Sequence, residues 1–170
     1  ALNGVLYVIV FMANGFTFSS VLYCLMTSAL VVITVIDERT YQIPVSMNLF
    51  IGLIGVIMTV YDYKHILSHL IGMVCVSLFL YALYYFSSGQ AIGGGDIKLM
   101  GSAGLVLGAK NIVFAFFLAC ILGSLIHTIR MKVSKKNNLL AMGPYLSVSI
   151  YIAALWGNCF WSWYLGLMGL

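Results

Sequence analysis

The chain has 170 residues, of which 63% are hydrophobic and only 7% charged, with a mean hydropathy of +1.09, whereas soluble domains carry roughly 25% charged residues. Eight basic and four acidic side chains cannot dress the surface of a soluble domain of this size, so lipid and neighbouring helices are the solvent for most of the chain. Soluble enzymes, nucleic-acid binders and disordered tails are excluded, and the net charge of +4 sits in short breaks between apolar runs, where it marks loops.

A membrane crossing needs about 20 apolar residues, and the runs follow in order. Leu2 to Ala13 is a short first run, ended by Asn14-Gly15. Phe16 to Ile36 is a full span, stopped by Asp37-Glu38-Arg39. Pro44, a good first-turn residue, opens the third run, Val45 to Val60, which exits through Tyr61-Asp62-Tyr63-Lys64-His65. Ile66 to Phe86 is the fourth, broken by Ser87-Ser88-Gly89-Gln90 and then Gly93-Gly94-Gly95-Asp96. The fifth, Ile97 to Ala109, is short enough to be tilted or a partial crossing. Asn111 to Ile129 is the sixth, and the basic loop Arg130 to Asn138 leads into the seventh, Pro144 to Leu167. Backbone groups in lipid must be paired within each segment, and no alternating barrel pattern occurs. The expectation is an all-α polytopic membrane protein, six to seven helices in one bundle, forming one domain over residues 1–170 with a short fifth helix.

The cysteines, Cys24, Cys75, Cys120 and Cys159, each lie inside an apolar run and form no Cys-x-x-Cys pair, so they read as small buried hydrophobes rather than zinc ligands. No cleavable signal peptide is evident, since the first run has no basic region before it, and the missing initiator Met suggests a trimmed start. If all seven runs cross, Arg39, Lys98, Arg130, Lys132, Lys135 and Lys136 fall on one side and Lys64 and Lys110 on the other. The positive-inside rule makes the first side, with the N-terminus, cytoplasmic. Phe160, Trp161, Trp163 and Tyr164 then form an interfacial aromatic cluster at the outer end of the last run.

This parity brings Asp37, at the end of run two, and Asp96, at the start of run five, to the same cytoplasmic face. A carboxylate in a membrane helix costs about 2.5 to 3.5 kcal/mol on insertion scales, so two acids at helix ends need an account. Three glycines before Asp96 permit φ > 0 and close approach of a peptide backbone. Two carboxylates held close in a poorly solvated site share a proton. They can therefore act as general base and general acid on a water and an amide.

Other features read plainly. Asp62, His65 and His69 fall at spacings that could share a helix face as metal ligands, but no His-Glu-x-x-His sequence occurs and a polar outer loop is the simpler reading. Gly104-x-x-x-Gly108 fits a close helix contact. His127 caps or lines the inner end of run six, and Lys132, Lys135 and Lys136 mark topology, with anionic lipid as a further reading. No metal or cofactor is expected.

Asp37-Glu38-Arg39-Thr40-Tyr41-Gln42-Ile43-Pro44 resembles the D-x6-P element of the type IV prepilin peptidases. Gly93-Gly94-Gly95-Asp96-Ile97-Lys98 is similar to their GxGD-x-K element, and Gly143-Pro144-Tyr145-Leu146 to the G-P-[YF]-L that opens their last helix. A lone GxGD, shared with presenilin-type proteases, is weak; three ordered elements at helix ends make a strong match over nearly the whole chain. The resemblance implies a GxGD aspartyl endopeptidase of the bacterial cytoplasmic membrane, with Asp37 and Asp96 catalytic and Pro44, Gly93, Gly95, Lys98, Gly143 and Pro144 in supporting motif positions. It implies a prepilin or pseudopilin substrate helix, whose basic leader is cut at the cytoplasmic face. The Cys-x-x-Cys pairs linked to N-methylation in bifunctional members are absent from these residues, so the resemblance implies a peptidase domain without the methyltransferase domain, either a trimmed bifunctional enzyme or a naturally short peptidase. Lys98 tunes the dyad, binds an acidic group on the substrate, or simply snorkels to the interface. The alternatives are a small channel or transporter, in which Asp96 would coordinate an ion, and a non-catalytic assembly protein.

Overall fold

The structure, a computed structural model, describes residues 2–89, 92–133 and 141–169, without the side chains at positions 127 and 130–133. The roles expected of the His127, Lys132, Lys135 and Lys136 side chains lie outside the described residues. The described elements are α1 (Leu2–Asn14), α2 (Phe18–Thr40), α3 (Val45–Tyr61), a 3₁₀ turn at Tyr63–His65, α4 (Ile66–Phe86), α5 (Gly94–Val133) and α6 (Gly143–Leu167). Phe18–Thr40 and Tyr63–Phe86 are each long and apolar enough to cross a bilayer; Gly94–Ile126 has the length and composition as well, but is broken at Gly108, and α1 and α3 are apolar but shorter. Large exposed apolar side chains occur along the helices, from Leu2 to Leu167, as an all-α membrane protein requires.

The helix ends depart from the apolar runs for physical reasons. The Thr17 hydroxyl accepts the Ser20 N–H at 3.2 Å, an N-cap that satisfies one orphan donor of α2. At its other end α2 runs past Ile36 and carries Asp37-Glu38-Arg39 in its last turns. Glu38 and Arg39 are exposed there, and a cation suits the negative end of the helix dipole. The helix stops at Tyr41, whose φ of 54° is left-handed and whose N–H donates to the Asp37 carbonyl at 2.8 Å. A bulky residue in that region is strained.

The fifth and sixth apolar runs are two limbs of α5. Their junction is Gly108, with φ 76° and ψ 171°, and there the chain reverses. Along the first limb a Cβ on Gly104 would overlap the Gly72 carbonyl oxygen, and one on Gly101 would meet Ser77 at 3.5 Å, so this limb runs antiparallel to α4. Along the second limb Trp161 donates its indole N–H to the Lys110 carbonyl at 3.1 Å, while Gly123 lies against Tyr145, so this limb runs antiparallel to α6. The Ser68 hydroxyl accepts the Ala109 N–H at 3.3 Å and so pairs a donor that the break exposes. Gly104 and Gly108 thus make the close contact their spacing suggests, and Gly108 also makes the turn.

The core lies where α5 meets the other helices, with Met26, Ile33, Ile51, Leu99, Met100 and Ile150 fully buried. One cysteine expectation fails: Cys24 is buried, but Cys75 and Cys159 are exposed. In lipid an outward-facing apolar side chain loses nothing, so the soluble-protein habit of burying cysteine does not apply.

Because a Cβ at Gly72 would meet backbone atoms of Gly104 and Gly108 at 2.6 and 2.7 Å, Gly72→Ala should destabilise the bundle by about 1–3 kcal/mol. Gly4→Ala, where an added methyl meets nothing, should leave the midpoint of thermal unfolding in detergent unchanged or slightly raised. Equal midpoints for the two variants would remove the close α4–α5 contact.

Candidate active site

Four residues, 41–44, join α2 to α3 and decide what stands beside Asp37. Pro44 is the N-cap of α3 rather than its first turn, and its carbonyl accepts the Met47 and Asn48 N–H groups. Ile43, just before it, is buried and packs on the glycine loop ahead of α5, where a Cβ on Gly95 would meet Ile43 at 2.9 Å. One turn into α3, Asn48 is buried and donates its Nδ2–H to the Gly95 carbonyl at 3.3 Å. The segment after Asp37 therefore holds the segment before Asp96.

Asp37 is 4% exposed, and its Oδ2 accepts the Gly143 N–H at 2.9 Å. Gly143 and Pro144 open α6, so the carboxylate faces the positive end of a helix dipole. Near the C-terminus of its own helix the same charge is opposed, and each such dipole effect is worth about 0.3–1 kcal/mol. The α6 terminus offsets that penalty. Contact is close enough that a Cβ on Gly143 would lie 2.6 Å from Asp37 Oδ2.

Asp96 lies in the first turn of α5 and is 9% exposed. Its N–H donates to the Gly93 carbonyl at 3.1 Å. A Cβ on Gly93 would sit 3.1 Å from Asp96 Oδ2, while a Cβ on Gly94 would meet nothing. The three glycines thus differ: Gly93 leaves room for the carboxyl, Gly95 for Ile43, and Gly94 for nothing in particular. Two buried carboxyl groups, drawn from α2 and α5, therefore share one end of the bundle, where a water and a peptide bond could meet both.

Of the residues singled out from sequence, Asp37, Gly143 and Pro144 meet at one helix junction, and Asp96, Gly93 and Gly95 at the adjoining loop. Lys98 is exposed beyond them, and among the described residues no carboxylate lies within ion-pair distance of it. Asn48 and Ile43 escaped the sequence reading. For Asn48 the available signal was a lone amide in an otherwise apolar helix, a polar side chain that needs a partner in lipid.

Asp62, His65 and His69 do come together at the opposite end. His65 Nδ1 lies 2.9 Å from Asp62 Oδ1 and His69 Nε2 3.5 Å from Asp62 Oδ2. The hydrogen bond from His65 holds the Asp62 carboxyl below its ordinary range. Among the described residues no three His, Cys, Asp or Glu side chains are placed to hold a metal ion. The cluster instead edges a polar cavity of about 780 Å³, also lined by Asn14, Tyr61, Lys110 and Asn111.

Comparison with known proteins adds the following. Residues 24–128 match the type IV leader peptidase family. The chain is 29% identical to a prepilin leader peptidase/N-methyltransferase of Legionella pneumophila, over 89% of this chain and 55% of that protein. It is 30% identical to one of Neisseria gonorrhoeae, over 96% of this chain and 59% of that protein. A counterpart from Aeromonas salmonicida is 28% identical over 83% of this chain and 51% of its own length. The chain thus spans about half the length of the curated relatives it matches. No solved structure matches it significantly.

The contrast among glycines is directly measurable. Gly143→Ala and Gly95→Ala each push a methyl to within 3 Å of fixed neighbours and should cost about 1–3 kcal/mol, seen as a lower unfolding midpoint in detergent. Gly94→Ala should leave the midpoint nearly unchanged. A Gly94→Ala loss as large as the other two would mean that the loop is held differently.

Proposed function

The chain belongs to the type IV leader peptidase family, and from that premise we propose that it is a membrane-embedded aspartyl endopeptidase that removes the leader from a prepilin or pseudopilin. The observation that carries the reading is the pair of buried carboxyl groups, Asp37 and Asp96, which the contacts of Ile43 and Asn48 with Gly95 bring to one end of an apolar bundle. Relatives named prepilin leader peptidase/N-methyltransferase support the substrate class.

The chemistry needs one carboxylate and one carboxylic acid at the same moment. The carboxylate takes a proton from water as the water oxygen attacks the scissile carbonyl carbon, giving a tetrahedral intermediate. The protonated partner delivers its proton to the amide nitrogen, the C–N bond breaks, and a carboxylic acid and an amine leave. Two close carboxyl groups favour the singly protonated pair, because their charges repel when both are ionised. The Gly143 N–H fixes the aim of Asp37, and the first turn of α5 fixes that of Asp96. The basic residues Arg39 and Lys98 lie at this end of the bundle, so the reading puts the cut at the cytoplasmic face of a bacterial inner membrane. There a basic leader stays in water while the apolar helix that follows stays in lipid.

Asp37→Asn and Asp96→Asn should each lower cleavage of a synthetic prepilin by about 10²–10⁴-fold or more, read by mass spectrometry of the products. The double variant should be little worse than either, since groups acting as a unit are not additive. Glu38→Gln, next to Asp37 but exposed, and Asp62→Asn should cost far less. Retention by either single variant of activity within about tenfold of the parent, only ~1.4 kcal/mol of barrier, would sink the mechanism. The orientation has its own test. With the native cysteines replaced, Arg39→Cys and Lys64→Cys should react with an impermeant thiol reagent from opposite sides of sealed vesicles, and labelling of both from one side would overturn the topology.

A further inference from the structure

α3 and α4 both pack mainly on α5 and hardly on each other. Between them runs an apolar groove of about 630 Å³. Leu49 and Leu53 of α3 and Met73 of α4 line it, together with the small residues Gly52, Gly101 and Ser102. Its other end is lined by Asn48, Ile97 and Lys98; Ile97 directly follows Asp96 in the first turn of α5, and Asn48 bonds the Gly95 carbonyl just before it, so this end of the groove adjoins the loop that carries Asp96.

Two features separate an incoming helix from a lipid tail as its occupant. Small residues let helix backbones approach closely, whereas an acyl chain packs as well on leucine. The second feature is Asn48, which is 3% exposed. Its Nδ2–H is committed to the Gly95 carbonyl, which can only accept, so the amide orientation is settled. Its Oδ1 is left buried without a partner, and a buried acceptor without a donor is costly. A helix arriving with its N-terminal end at Asn48 carries four backbone N–H groups that have no intrahelical acceptor; a lipid tail carries none.

We propose that this groove seats the apolar helix of the peptide substrate, with a first-turn N–H donated to Asn48 Oδ1, so that the bond just ahead of the helix lies at Asp37 and Asp96. The assignment rests on the proteolytic reading above. Asn48 is then a positioning residue: one end of its amide holds the glycine loop before Asp96, and the other registers the substrate against it. The apolar groove supplies affinity for the helix, while the carboxyl pair acts on the bond whatever follows it.

The test uses the full chain in proteoliposomes and two synthetic substrates with the same residues around the cut, one followed by an apolar helix and one ending before it. At Gly52 an added Cβ meets only the Ser102 side chain, at 3.5 Å, so Gly52→Phe extends into the groove. It should raise KM for the helix-bearing substrate at least tenfold, with kcat within about threefold, and leave kcat/KM for the short peptide within about threefold. In an Asp96→Asn background, Leu53→benzoylphenylalanine should photocrosslink to the helix-bearing substrate. The same probe replacing Leu78, which is exposed on α4 but not part of the groove lining, should not. Equal losses on both substrates, no loss on either, or equal crosslinking from both positions overturns the assignment. A parent that cleaves only the helix-bearing substrate supports it. If the parent cleaves neither substrate, the proteolytic reading falls, and crosslinking from Leu53 still decides whether the groove is occupied.

Discussion

A single hydrogen bond, from the Gly143 N–H to Asp37 Oδ2, joins the end of α2 to the start of α6 across 106 positions of chain. It is buried, so losing it would leave an uncompensated polar group where water cannot substitute, at a cost of about 1–3 kcal/mol or more for a charged partner. Much of the carboxyl end of the bundle follows from it. The bond needs a glycine at 143, because a Cβ would overlap the carboxyl group. It needs α2 to continue as helix past its apolar stretch, so that Asp37 is carried beneath α6. It also needs the abrupt stop at Tyr41, since a longer α2 would carry Ile43 away from the glycine loop.

The second half of the site is held by a parallel device. Asn48 and Ile43, on either side of Pro44, grip Gly95 by an amide hydrogen bond and by packing. The two acids are thereby fixed to one another through one short connection rather than through the long way round the bundle. A left-handed tyrosine is the backbone cost of making that connection so short. Strain beside a pair of buried carboxyl groups is what a site selected for geometry rather than stability is expected to carry.

Much of this was legible in the chain. Apolar runs located the helices to within a few residues, because hydrocarbon leaves the backbone no other choice. Acid positions and parity placed Asp37 and Asp96 at one end, and the motif glycines marked where side chains would not fit. What stayed hidden has a common cause. The extent of α2, the exposure of Cys75 and Cys159 and the part played by Asn48 depend on which neighbour each residue faces, and an apolar stretch in lipid shows little periodic difference between its inner and outer faces. The G-x-G-D pattern already set Gly94 apart from Gly93 and Gly95, but the reason came only with the positions of Ile43 and the Asp96 carboxyl.

The reversal at Gly108 has a consequence for the bilayer. At 1.5 Å per residue, residues 94–107 rise only about 21 Å, well short of the ~30 Å hydrocarbon layer. Beyond that limb lies the cavity edged by Asp62, His69, Lys110 and Asn111, a polar lining that suits water better than lipid. A hydrocarbon layer matched to this limb would be about a third thinner than the surrounding membrane, a mismatch of the kind that lipids meet by compressing or tilting. A membrane potential dropped across the shorter path produces a proportionately steeper field, and its low-dielectric segment ends at Asp96.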